Sequence, residues 1–144
     1  MGRIYTYSFA DTEVTINHPS YGSYSAYGTG IGTLSVSYTN DITTHEVSAD
    51  AAVVVSKSVK KNGTVTFDIL QASDFNTWLK GFVNFLESAT TSEFASATIV
   101  IRNRSSNDNY TCTGVSHQKR PDNSLQSTAQ NRQWIMMAAN IDET

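Results

Sequence analysis

Charge is what this chain has little of. Only 16% of its 144 residues are Asp, Glu, Lys or Arg, whereas a free surface is ordinarily about 25–35% charged. The polar surface must therefore come from Ser, Thr, Asn and Gln, which suits an assembled subunit better than a solitary monomer. Cysteine is nearly absent too. Cys112 stands alone, which excludes an intrachain disulfide and a Cys-based metal site. No stretch approaches the roughly 18 apolar residues that span a bilayer, and the opening MGRIYTYSFADTEV lacks the apolar core of a secretory signal. The expectation is cytosolic synthesis without membrane insertion. A net charge of −3 excludes a groove that grips nucleic acid through clustered cations; DNA could pass such a protein but would not be held.

Catalytic signatures are missing as well. His18, His45 and His117 lie far apart without metal-ligand spacing, and no Ser sits in a G-x-S-x-G elbow. Gly28, Gly30 and Gly32 precede a strand pattern rather than a helix, so they form no phosphate cradle. Paired carboxylates such as Asp68 with Glu46 could serve glycosidase chemistry, yet acids are sparse and nothing in their spacing makes them converge. The chain is expected to be neither an enzyme nor a binder of metal or cofactor.

What is present is alternation. With 39% hydrophobic residues, residues 1–144 fit one domain with one core of ordinary size. Leu34, Val36, Tyr38, Val65, Phe67 and Ile69 alternate with Ser35, Ser37, Thr39, Thr64, Thr66 and Asp68, the signature of a half-buried antiparallel sheet. The pattern predicts strands over residues 5–17, 33–47 with a bend near Asn40 and Asp41, 52–59 and 64–70. Asn62-Gly63 closes a hairpin between the last two. Residues 20–32, rich in Gly, Ser and Tyr, read as a flexible connection.

Ser73 or Asp74 caps a helix that ends near Ser88. Its apolar face holds Phe75, Trp78, Leu79, Phe82, Val83 and Leu86, and Asn76, Thr77, Lys80, Asn84 and Glu87 lie opposite. Full burial of that face would contribute about 10 kcal/mol before entropy. A second hairpin spans 97–101 and 110–115, residues 116–132 form a long loop, and 134–141 close the chain as a buried strand.

The stretches GIGTLSVSYTND and ADAAVVVSKSVKKNGTVTFDILQASDFNTWL, with their order of strands, Asn-Gly turn, return strand and helix, resemble the tail tube proteins of contractile-tailed bacteriophages. The resemblance implies a mainly β fold, an antiparallel β-sandwich or partial barrel flanked by a helix, with strands joining across subunits into a ring barrel. It further implies six copies per ring, rings stacked into a hollow virion tube for genome ejection, and sheath, baseplate and terminator proteins as partners. Related tubes serve phage-tail-like bacteriocins and type VI secretion, and a tail terminator shares the assembly logic. The hydroxyl side, comprising Ser35, Ser37, Thr39, Ser56, Ser58, Thr64, Thr66 and Asp68, is the candidate lumen wall. Glu46, Asp50, Lys57, Lys60, Lys61, Lys119 and Arg120 are candidate inter-subunit residues. A carbohydrate-binding sandwich using Tyr21, Tyr24 and Tyr27 with exposed Trp78 or Trp134 is the competing class.

Overall fold

The computed structural model describes residues 2–28 and 31–144; Gly30 therefore lies outside the described residues. Alternating side chains make β6 (Gly63–Leu70) two-faced, with Val65, Phe67 and Ile69 fully buried and Thr64, Thr66 and Asp68 half-buried opposite them. The same logic builds β1 (Thr12–His18), β2 (Gly22–Tyr27), β3 (Thr33–Tyr38), β7 (Ala97–Asn103), β8 (Asp108–His117) and β9 (Asn131–Glu143). These pair antiparallel in the order β2-β1-β7-β8-β9-β6-β3, and the sheet curls into a half-barrel.

Part of the curl has a visible cause. Between Cys112 and Val115 the β7–β8 register slips, and Gly114 takes φ 64° there. A Cβ on Gly114 would sit 2.6 Å from that of Ala139, so this bulge requires glycine.

One long helix, α1 (Asp74–Ser88), covers the apolar face. Ser73 caps it by accepting from the Asn76 amide at 3.2 Å, and Phe75, Leu79, Phe82, Val83 and Leu86 are buried against Phe67, Ile69, Trp134 and Met136 in one core. A short turn of helix, α2 (Thr91–Phe94), follows. Asn76, read from the sequence as part of the polar side, is only 2% exposed. Its Oδ1 accepts from the buried Trp134 Nε1 at 2.9 Å, and its Nδ2 donates to the Gln71 carbonyl at 2.8 Å. A buried indole N–H requires an acceptor, and the helix supplies it.

Several sequence expectations are corrected. The opening strand begins only at Thr12; Tyr5 and Tyr7 lie before it, exposed and outside regular structure. Residues 20–32 are not simply a connection, because Gly22–Tyr27 forms edge strand β2, hairpinned to β1. Tyr21 and Tyr24 hold it down: Tyr24 stacks on Phe75 at 5.3 Å, and Tyr21 packs edge-on against Trp78 at 5.5 Å.

His18 is part of β1 and buried. Its Nδ1 accepts from the Ser20 amide at 3.0 Å, leaving Nε2 to donate to the Glu93 carbonyl at 2.7 Å. This ties the β1–β2 turn to α2.

The predicted strand over 33–47 is two strands, β3 and β4 (Thr43–Val47), broken at the expected place around Asn40 and Asp41. β4 pairs only with β5 (Val53–Lys57), in a hairpin separate from the main sheet. Asn62-Gly63 therefore joins no β5–β6 hairpin, since β6 pairs with β3 and β9. Gly63 is buried within β6, where an added Cβ would lie 2.1 Å from the Ser37 carbonyl oxygen; glycine is needed there for close approach. Residues 134–141 are buried on one side only, with Ile135, Met137 and Ala139 pointing outward.

Asn76→Ala, which leaves the Trp134 N–H buried without an acceptor, should lower the unfolding free energy by about 1–3 kcal/mol. Urea titration followed by Trp fluorescence measures it, and an unchanged midpoint would remove the claimed role of this bond.

Candidate functional site

The face of the sheet away from α1 is hydroxyl- and amide-rich across several strands. Cross-strand register places Ser35 beside Thr66 and Thr66 beside Ile135, Ser37 beside Thr64 and Thr64 beside Met137, and Asp68 between Thr33 and Gln133. Thr39 follows β3, exposed, and its amide donates to the Asn62 carbonyl at 3.0 Å. Six of the eight predicted wall residues are thus brought together: Ser35, Ser37, Thr39, Thr64, Thr66 and Asp68. Ser56 and Ser58 are not. Ser56 lies opposite Thr44 on the separate hairpin, and Ser58 sits at the hairpin root with its amide donating to the Ile42 carbonyl. The pattern in β5 has the right period but belongs to another sheet.

The same chemistry continues where the sequence reading named no wall residue. Thr15 contacts Ser25 at 3.3 Å, and Thr111 and Thr113 stand opposite Asp142 and Asn140. Thr111 and Thr113 flank buried Cys112, an alternation that could have marked them. Charges on this face tend to be matched: Glu13 faces Arg102 across β1 and β7, and Asp142 lies 3.6 Å from Lys61.

The predicted inter-subunit residues divide between opposite ends of the molecule. Glu46 and Lys57 lie on β4 and β5, Asp50 in the turn between them, and Lys60 and Lys61 at the hairpin root. The lysines therefore sit at the base of the hairpin, and its turn carries Asp50. Lys119 and Arg120 lie at the other end, in the irregular segment 118–130 between β8 and β9.

Every residue of β4 and β5 is exposed. Their register gathers Val47, Val53 and Val55 on one face, with Val47 70% and Val55 63% exposed. A two-stranded hairpin standing alone is marginally stable in water, and this one presents an apolar face with no partner within the described chain.

The segment 118–130 is anchored at both ends. Gln71 donates from Nε2 to Asn123 Oδ1 at 2.8 Å and to the Ser124 carbonyl at 2.9 Å, and its Oε1 accepts from the Gln130 amide. Arg120 grips Glu87 of α1 through Nε at 3.1 and 3.0 Å and Nη2 at 2.7 Å, and it also contacts Asn84. His117 Nε2 adds a contact to Glu87 at 3.1 Å. The Arg120 hydrogen bonds, aided by His117, hold the Glu87 carboxyl below its ordinary range. Arg120 is thus engaged within its own chain, whereas Lys119 stays exposed beside the cleft that this segment forms with β9.

Tyr110 donates to Glu143 at 3.0 Å, and burial followed by that bond pushes its phenol up to about 12. Burial first, and then the Asp142 charge, pushes the Cys112 thiol up to about 11. Trp134 is buried, and Tyr21, Tyr24 and Trp78 are engaged with one another and with the phenylalanines of α1, which leaves Tyr27, 56% exposed, as the free ring of the competing sugar-platform reading. Among the described residues no helix is long and apolar enough to cross a membrane.

The sequence model of a family described as "Bacteriophage PhiTE tail tube protein" matches residues 4–144. No curated protein matches the sequence. Among solved structures, a chain of the PVC extracellular contractile injection system sheath/tube terminator in the extended state is similar, at 8% identity and TM-score 0.62, with 99% of each chain covered. A chain of the PVC sheath-tube complex in the extended state gives 8% identity and TM-score 0.58, covering 97% of this chain and 92% of its own. A chain of the anti-feeding prophage baseplate gives 9% identity and TM-score 0.62, covering 100% and 97%. These likenesses show the fold.

Because its pKa is depressed by Arg120, Glu87 stabilises the fold above the ordinary carboxylate value near 4.3, and this contribution is lost as pH falls through the lower folded-state value. A Tm gap between the wild type and Glu87→Gln should therefore be open at neutral pH and close on acidification. A gap that stays constant into strong acid contradicts the assignment.

Proposed function

Since the chain belongs to the PhiTE-type phage tail tube family, a structural component of the virion tail, we propose that six copies close into a ring and that rings stack into the hollow inner tube of a contractile tail. The side of β3, β6 and β9 away from α1 lines the channel. The observation that carries this reading is the pairing of an uncovered, hydroxyl-rich sheet face with an exposed valine-bearing hairpin. Neither is needed for the core, and each has a use in an assembly. The open edges agree with it. β2 and β3 end the sheet and contain neither Pro nor a charged side chain, the usual guards against edge pairing.

A wall of Ser35, Ser37, Thr64 and Thr66 with Asp68 offers passing DNA hydroxyls and a sparse ring of acids. Phosphates find few cations there, so cargo slides past without specific contact. Sheath, baseplate and terminator proteins are the other partners. The terminator-like neighbour favours a second reading, a ring that ends a tube, and the two differ in product: discrete rings against long filaments.

Purified protein at high concentration, in negative-stain micrographs, should show hollow filaments of uniform width. Rings alone would support the terminator reading, and monodisperse monomer would remove both. The channel is tested separately with Thr66→Cys. In assembled tubes a maleimide too bulky to enter should label this thiol at least about tenfold more slowly than in dissociated subunits, as expected for a site enclosed by a wall of joined strands. Equal rates would place the face outside.

A further inference from the structure

Segment 118–130 is held to the rest of the chain by polar contacts. Pro121 and Gln130 are half-buried and every other residue of it is exposed, Leu125 at 85%. Both of its ends are fixed. The Gln118 amide donates to the Ile135 carbonyl at 3.0 Å, and at the far end the Gln71 amide donates to the Gln130 carbonyl at 3.0 Å. Between these points the segment leans on the Gln71 side chain and on the clasp of Arg120 to Glu87, two side chains that are 46% and 42% exposed. A segment without a buried apolar anchor opens at small cost, and an exposed ion pair weakens further in salt.

Beneath the segment lies a charge that the fold does not neutralise. Arg132, near the start of β9, is only 9% exposed, and its guanidinium stands 4.7 Å over the Trp134 ring. Nη2 donates to the Pro121 carbonyl at 3.0 Å, whereas Nε is buried without a partner. Among the described residues no carboxylate pairs with it. Burial, and then the neighbouring charge of Arg120, disfavour the protonated guanidinium. The other buried side-chain nitrogen left without a partner among the described residues is His117 Nδ1, at the first root of the same segment. Buried groups of this kind oppose the arrangement that contains them. The position of the segment is therefore favoured at its outer edge by Glu87 and opposed at both of its roots.

We propose that residues 119–129 are a lid with two positions, closed over Arg132 by the Glu87–Arg120 clasp, and open about Gln118 and Gln130 with both arginines in water. The closed lid is an autoinhibitory contact. It keeps Arg120 on Glu87 and covers Arg132, so neither can meet another chain. Opening presents two guanidinium groups at one end of β9, and their forked donors suit a carboxylate. The device belongs to the single subunit and operates whether or not rings stack.

Phenylglyoxal, which modifies accessible guanidinium groups, reads the open population at Arg132 by peptide mass spectrometry. Exposed Arg3 is the reference, and the fully buried Cys112 thiol, probed with iodoacetamide, reports global unfolding. In the full chain, Glu87→Gln should raise modification of Arg132 relative to Arg3 about fivefold, the shift expected on losing an exposed bidentate pair. Arg120→Gln should act in the same direction, and so should about 1 M NaCl on the wild type. Lys119→Gln leaves the clasp intact and should change nothing. The salt arm uses the native chain, so the test survives a variant that fails to fold. Arg132 modified equally slowly in wild type, in salt and in Glu87→Gln, or modified only in step with Cys112, would overturn the lid.

Discussion

A sheet has two faces, and this chain supplies one long helix. Burial of Val65, Phe67, Ile69, Trp134 and Met136 beneath Phe75, Leu79, Phe82, Val83 and Leu86 covers most of one side, whereas on the other only segment 118–130 lies beside the start of β9. At about 1.5–3 kcal/mol for each large apolar side chain removed from water, this single contact dominates the gross stabilisation. It also forces the chemistry of the remaining surface: a face left open must be polar to remain soluble. The chain meets that need with hydroxyls and amides instead of charges. Aqueous solubility alone would be served as well by Lys and Glu; the hydroxyl choice is the one that the proposed channel wall would need.

The parts legible in the sequence were those governed by local periodicity. Ser73 with its 3- and 4-spaced apolar residues defined α1 to within a residue of its ends, and strict alternation marked β6 and most of β7 and β8. The parts that escaped are set by partners distant in sequence. β2 has the composition of a loop and becomes a strand because β1 offers it an edge and α1 offers Phe75 and Trp78 to its tyrosines. Asn76 looks solvent-bound until Trp134, 58 residues away, claims its carbonyl. Gly63 follows Asn62 in the manner of a hairpin turn, yet its missing Cβ serves close approach to Ser37.

The candidate wall was legible for a similar reason, and it failed at Ser56 and Ser58 for a similar reason. Period-two alternation identifies faces but not which sheet a strand joins. β5 alternates as well as β6 does, and only pairing reveals that it leaves with β4. Charge placement was not legible either. Lys57, Lys60 and Lys61 lie close together in sequence, and only the fold shows that they sit at the base of the hairpin with Glu46 and Asp50 toward its end.

The hairpin's position explains why a small subunit can have so exposed an element. Folding the domain fixes β3 and β6 through the core, and their ends then hold the roots of β4 and β5 close together. Further local order comes from a few bonds at the two ends of the hairpin, including Ser58 to Ile42 and Ser48 to Ala52. Loop closure is thereby already satisfied by the parent strands, so ordering the hairpin costs less than in an isolated peptide. Its valines nevertheless gain nothing until another surface meets them. The free energy of covering Val47, Val53 and Val55 is therefore not gained on folding, and in the proposed assembly it would favour joining subunits that have already folded. A subunit with its valines satisfied internally would be more stable alone and would have less reason to assemble.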